Sequence, residues 1–444
     1  MSEKPGPSCA SSCHSLINAL SAFHCALHLA SKTCSILHVE LTAIKFNRST
    51  SAGPEEANAV SLRQNFAAAV TVPEWTKGKS LPKDSPAAYA IAAVASKIVA
   101  IEASFATDSA GPAAVDIRAD GGGVLGPIDP TTIKMSGGAS VPDFVPLNLP
   151  HHKIGAFGIL REDIQWDWFY KATDGTWVSM GSSFHRIYVV LDAPTLPWLQ
   201  PPTPPASETQ LPWAEALDRA CLWAGGTLNV LDAATAVTKA VNSNLGLTYD
   251  VSHGASKYTQ AIGRTSWFLC TAFLAFLNRQ PEGKGNIVNC TDCATVVSSF
   301  ANLLGCRLAA AVMASPGGFL CNKIIAIGGS AWNYPFPPAN RFAYHEVAWT
   351  GAFSHDDRIF DACLLADNSS DPWNWTDPAL SHMPLLPLNE IFTSQGEVAN
   401  LPISTPFTAA SYRERLAQNS AAGIGRCVAQ GPRPNAQGGR RGVV

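Results

Sequence analysis

Residues 286–306 read NIVNCTDCATVVSSFANLLGC, and the fold expected for the second half of the chain follows from them. The stretch opens with small and polar residues, then turns apolar at Val296, Val297, Phe300, Leu303 and Leu304. That spacing follows one side of a helix, and Gly305 supplies the stop. Asn289, Thr291 and Asp292 are all N-cap residue types, so the helix is expected to begin within a residue or two of Cys290. Unpaired backbone N–H groups and the positive end of the helix dipole stabilise an anion there, and a thiolate is an anion. Asp292 acts against this, because a second negative charge in the same turn raises the cost of the first.

A thiolate needs a base within reach and a group that orients the base. Working outward, two strand-like runs, AYHEVAW (343–349) and RIFDACL (358–364), flank the polar connection TGAFSHDD. An antiparallel hairpin centred near Phe353 puts His345 opposite Asp361 on a common face, because the strand period is two. Val347 and Trp349 share that face. Cys290, His345 and Asp361 are therefore the candidate nucleophile, base and orienter.

The order Cys290-x-Asp292-x-Ala294, an apolar helix ending in Leu303-Leu304-Gly305, a His on one strand and an Asp on the next resembles the transglutaminase-like superfamily, which shares its core with papain-like cysteine proteases. The resemblance covers roughly residues 210 to 410. It implies a papain/transglutaminase-like α+β domain with Cys290 as nucleophile, His345 as base and Asp361 holding the imidazole. It further implies thiol-dependent acyl transfer on a protein or peptide amide, by hydrolysis first and by transamidation as the alternative. No cofactor is expected.

Composition sets the outer bounds. A chain of 444 residues is long enough for two or three domains, each with its own core. Charged residues are 15% and the net charge is −3, so there is no general electrostatic attraction to nucleic acid. The twelve cysteines show no disulfide-framework spacing and read as buried thiols in a reducing compartment. No apolar run is long enough to cross a membrane, so no membrane insertion is expected.

Residues 1–58 read as a loosely ordered leader. His24 and His28 interrupt what would be the apolar core of a signal peptide, so a cytoplasmic location is expected. The leader's Cys9, Cys13, His14, His24, Cys25, His28 and Cys34 match no standard zinc spacing. Residues 59–193 carry short alternating strands: KIVAIEASFAT, AAVDIRADGGGVLG, DIQWDWFYKATDGTWVSM with a turn at Asp174-Gly175, and FHRIYVVLD. They are expected to form an antiparallel β-sandwich of immunoglobulin-like type. Trp166 and Trp168 read as its core in preference to an exposed binding platform.

Seven prolines between Pro194 and Pro212 mark a semi-extended linker, and residues 213–412 then hold the α+β catalytic domain. Helical spacing covers 213–225 and 233–244, and SWFLCTAFLAFLN (266–278) reads as a buried helix with Cys270 as a core thiol. The polar loop before it offers Tyr258 or Gln260 as a donor to substrate, and Trp332 in SAWNYPFPPANRF offers an indole N–H to an oxyanion. Asn368 and Asn374 sit in glycosylation patterns. Residues 413–444 read as a flexible, mildly basic tail. Three rival readings remain. Cys293 is a second possible nucleophile, set deeper in the helix. Cys290 and Cys293 with Cys306, Cys321 or Cys363 are a weakly spaced zinc set. The whole is a binding module if the thiol site is idle.

Overall fold

The computed structural model describes residues 38–48, 56–108, 112–198, 211–262, 265–321, 324–329, 336, 341–350, 358–366, 428–429 and 441–444. The leader cysteines and histidines, Trp332, Asn368 and Asn374 lie outside these. The architecture is mixed α+β, with one large curled sheet, smaller sheets and few helices.

The N-terminal strands join one eleven-stranded sheet. Its main strands are β1 (Val39–Lys45), β2 (Ile98–Thr107), β3 (Ala114–Gly121), β4 (Ile128–Ser136), β5 (Leu160–Lys171) and β6 (Trp177–Val190). Neighbouring pairs β1/β2, β3/β4, β3/β5 and β5/β6 are antiparallel. Side chains from the two ends of the sheet enclose one core, in which Phe105 of β2 meets Trp168 of β5 edge-on at 6.0 Å. Trp166 donates its indole N–H to the Gly126 carbonyl at 2.8 Å, and Trp168 donates to Ser183 Oγ at 2.8 Å. Both rings are buried, so they are core residues and not a platform. The glycine run before β4 is required here: Gly122 has φ +85, and a Cβ on it would meet the Trp166 indole nitrogen.

The expected leader extends too far. Val39–Lys45 is an integral strand with Val39 and Ile44 fully buried, and Glu56–Ala57 pairs with β2. A bulge between Leu41 and Ala43 breaks the strict alternation that would have marked β1 in the sequence.

The short strand Ala87–Ala90 runs parallel to β6, and this pair serves two cores at once. Ala87, Tyr89, Ile187 and Val189 face the first core; Ala88, Ala90, Tyr188 and Val190 face the second. Period-two alternation makes both possible.

The second core surrounds the helix predicted around Cys290. In chain order its elements are α1 (Ala214–Ala224), α2 (Val230–Ser243), β7 (Thr259–Ile262), β8 (Thr265–Phe268), α3 (Cys270–Leu277), α4 (Cys290–Leu303), β9 (Ala309–Leu320), β10 (Arg341–Trp349), β11 (Ile359–Phe360) and β12 (Arg441–Val443). Every residue of α4 is buried, with α1 and α2 on one side and β9 and β10 on the other. Val297, Phe300 and Leu303 are fully buried, each contributing about 1.5–3 kcal/mol. The strand order β11-β10-β9, continued by Val428–Ala429, is antiparallel throughout.

Three further expectations change. Ser266–Phe268 is strand, paired with β7, and the helix begins only at Cys270; the apolar run hid the change of element. The linker begins as packed structure: Trp198 is fully buried and donates to the Ser299 carbonyl at 2.7 Å, while Asn302 donates to the Leu196 carbonyl at 2.6 Å. The tail's end is not loose, since β12 adds a parallel strand to β8 and buries Val443. Its two final valines are outweighed in sequence by the polar run before them.

Candidate active site

The site is built from the start of α4. Asn289 is the N-cap, its side chain accepts from the Asp292 N–H at 3.0 Å, and Asp292 Oδ2 accepts from the Asn289 N–H at 3.4 Å. This capping box makes Cys290 the first helical residue, at the positive end of the helix dipole. Asp292 Oδ1 also accepts from Tyr258 N at 2.9 Å and Thr259 N at 2.7 Å, and its Oδ2 from Lys257 N at 2.6 Å. Burial raises its pKa in spite of these contacts. Asp292 thus clamps residues 257–259 to the helix start, a role the sequence did not reveal.

His345 is supplied by β10, but in a different register from the one expected. Ala348 lies opposite Phe360 and Trp349 opposite Ile359, two residues along from the hairpin that pairs His345 with Asp361. A two-residue shift preserves the face, so Asp361 becomes a diagonal neighbour of His345 on the same side. His345 Nε2 lies 2.9 Å from Asp361 Oδ2, and Asp361 Oδ1 accepts from Cys363 N at 2.7 Å. Both side chains are buried.

The Cys290 thiol is a further influence on the imidazole. Burial alone pushes His345 down, but the Asp361 carboxylate and Cys290 outweigh it and raise the imidazole to about 10. His345 and Asp361 are therefore in contact, and Cys290 acts with Asp361 in raising the imidazole.

Four residues to which sequence reasoning gave no catalytic part lie around the start of α4 and the Asp361 segment. Tyr249 has its pKa raised by burial first and then by the nearby thiols, Cys290 foremost. The parallel pairing of Thr248–Tyr249 with Ile287–Val288 delivers it to the helix start, a non-local contact with no local sequence signal. Cys363, met earlier only as a possible zinc ligand, is held well above its usual pKa by burial first and then by the Cys293 thiol. The Thr291 hydroxyl lies 3.2 Å from the Tyr344 hydroxyl, at the edge of the site.

The rival nucleophile is disfavoured. A hydrogen bond from Cys363 favours the Cys293 thiolate, but burial and the charges of Asp292 and Asp361 prevail and raise its pKa. Tyr258 is not a cleft donor: its ring is fully buried against Phe273, and its hydroxyl donates to the Gly285 carbonyl at 2.5 Å. Gln260 is exposed on β7, opposite Trp267. Among the described residues no three His, Cys, Asp or Glu side chains are grouped to hold a metal ion, and no helix is long and apolar enough to cross a membrane.

No family model and no curated protein matches the chain. Among solved structures, the crystal structure of red sea bream transglutaminase aligns with a TM-score of 0.32 and 12% identity, over 59% of this chain and 48% of that one. The chain thus spans about half the length of that protein. A likeness this weak leaves the function to be argued from the site itself.

Proposed function

We propose that the chain is a thiol-dependent acyl-transfer enzyme that cleaves an amide bond in a protein or peptide through Cys290, His345 and Asp361. The observation that carries this reading is the 2.9 Å contact of His345 Nε2 with Asp361 Oδ2, both buried, with Cys290 at a helix start as a further influence on the same imidazole. The same reading takes residues 213–412 as a transglutaminase-like α+β domain. It takes the N-terminal sheet as an immunoglobulin-like sandwich, and the protein as cytoplasmic.

With Nε2 engaged by Asp361, Nδ1 is the ring nitrogen that exchanges a proton with Cys290. The proton is already held by His345, raised to about 10, so the Cys290 sulfur attacks the amide carbonyl as a thiolate while Asp361 stabilises the imidazolium. The Tyr249 hydroxyl and the first N–H groups of α4 are the donors for the oxyanion. The imidazolium then protonates the departing amine, leaving a thioester on Cys290. Water, activated by His345, releases the acid and restores the thiol. An amine in place of water gives transamidation by the same steps.

A second reading, a catalytically idle binding module, is favoured by burial: the three side chains are only 3%, 0% and 6% exposed. Incubation with a peptide library, followed by intact mass and peptide mapping, separates the two. The enzyme reading requires an acyl adduct on Cys290 that hydroxylamine removes and that His345→Ala abolishes. An unmodified Cys290 with every peptide intact sinks it.

A further inference from the structure

β12 lies far from Cys290 in sequence, yet one row of residues joins it to α4. In the three-stranded sheet Val443 pairs with Phe268, and Phe268 pairs with Thr259. Thr259 then meets α4 twice: its N–H donates to Asp292 Oδ1 at 2.7 Å, and its hydroxyl donates to Thr295 Oγ1 at 2.9 Å. A second route runs through aromatic rings. Phe268 and Phe273 each lie edge-on to Phe300 of α4, with centroids 6.1 Å and 5.9 Å away. Only β8 and β7 therefore separate β12 from the capping box at Cys290.

The docking of β12 is small and depends on shape. Val444 N donates to the Phe268 carbonyl at 3.0 Å, and the Val444 carbonyl accepts from Thr271 N at 3.0 Å. The second bond caps α3, whose N-cap residue, Leu269, makes no side-chain cap. Val443 is fully buried in the core that holds Cys290. Gly442 is paired with Trp267, and a Cβ on it would overlap the indole ring. A three-residue edge strand anchored by one valine belongs to the low-stability end of a fold, where local opening does not require global unfolding.

We propose that residues 441–444 are a strap whose docking on β8 and α3 sets the reactivity of Cys290. Docked, the strap braces Phe268 and the start of α3, and these hold Thr259 against Asp292. The start of α4 then keeps the geometry in which Cys290 reacts. Undocked, the brace is lost and the site falls silent while the rest of the chain stays folded. The N-terminal core contains none of these residues, so it is indifferent to the strap. The strap is the two-state element, and the Thr259–Phe268–Val443 row carries its state to α4. The inference rests on the thiol reading of Cys290 and adds its regulation.

The test is Gly442→Val in the full chain, read by amide hydrogen exchange and by the iodoacetamide rate of Cys290 relative to the equally buried Cys221. Exchange should quicken at 257–262 as well as at 265–271, with Leu160–Val190 unchanged. The Cys290 rate should fall by about tenfold, an ordinary size for coupling between two sites. A peptide of residues 438–444, Gly-Gly-Arg-Arg-Gly-Val-Val, added in excess, should restore both readings. The same peptide with valine in place of the glycine before Val-Val should not. Val443→Ser keeps the glycine and loses only the apolar anchor, and it should show the same pattern. Opening confined to 265–271 with an unchanged Cys290 rate overturns the proposal. So does rescue by both peptides alike, or faster exchange throughout both variants, Leu160–Val190 included. A native Cys290 no faster than Cys221 defeats the acyl-transfer reading instead, and the exchange pattern still reads the strap.

Discussion

Asp361→Asn probes the site through a demand that only a carboxylate meets. In the native site its two oxygens take two partners, the Cys363 N–H at 2.7 Å and His345 Nε2 at 2.9 Å. Asparagine has one acceptor oxygen. If that oxygen stays on the Cys363 N–H, the amide NH₂ faces Nε2 and drives the ring proton to Nδ1, the wrong tautomer for taking a proton from Cys290. The imidazole also loses its counter-charge. Native His345 titrates at about 10, up from its ordinary 6.5. At about 1.36 kcal/mol per pH unit, that preference for the imidazolium is worth up to ~5 kcal/mol. A raised pKa of this kind stabilises the fold fully below pH 6.5 and is lost as pH climbs through 10. Urea unfolding of the native chain should therefore show stability falling across that window. In Asp361→Asn, where burial acts on the ring without the carboxylate, this part of the slope should vanish. Imidazole NMR titration follows the same group directly. Equal slopes in the two proteins, or a native His345 titrating near 6.5, refutes the reasoning.

Other outcomes are equally specific. Asp292→Asn keeps the size but sets an NH₂ against the Lys257 and Asn289 N–H groups, which should lower stability by about 3 kcal/mol in urea melts. Tyr249→Phe removes a donor beside Cys290 and should lower kcat by about 10²-fold on any peptide substrate found, with the fold unchanged by circular dichroism. Gly305→Ala adds a Cβ that meets Asp192 N at 2.7 Å at φ +88; a loss of about 2 kcal/mol or more is expected in thermal melts. Deleting residues 441–444 strips β12 from β8 and should cost about 1.5–3 kcal/mol from Val443 alone.

The parts of this structure that were legible in the sequence are those written in local periodicity. The run from Val296 to Leu304 and the N-cap at Asn289 place α4 and Cys290 directly. The alternation of Ile164, Trp166, Trp168 and Tyr170 marks β5. His345 and Asp361 were found from parity alone: the assumed register was two residues out, yet the face was right, because side chains alternate with a period of two. What stayed hidden depends on contacts distant in sequence. Tyr249 is brought to the start of α4 by a two-residue parallel pairing with Ile287–Val288, and Cys363 is tied to Asp361 through its backbone N–H after β11. Tyr258 looked available because its loop is polar, but Asp292 draws that backbone inward and its ring goes to the core. The β1 bulge and the buried end of the tail failed for a similar reason, since tertiary pairing overrode weak local pattern.

The central claim is that His345 and Asp361 make one thiol out of twelve different from the rest. Substoichiometric iodoacetamide at neutral pH, followed by peptide mapping, measures this. The account predicts that Cys290 is alkylated first, ahead of Cys270 at the start of α3, which is as deeply buried and whose thiol is held up by burial and by Glu215. It predicts that His345→Ala erases the preference. Alkylation spread evenly over the cysteines, or a preference for Cys290 that survives the loss of His345, contradicts it.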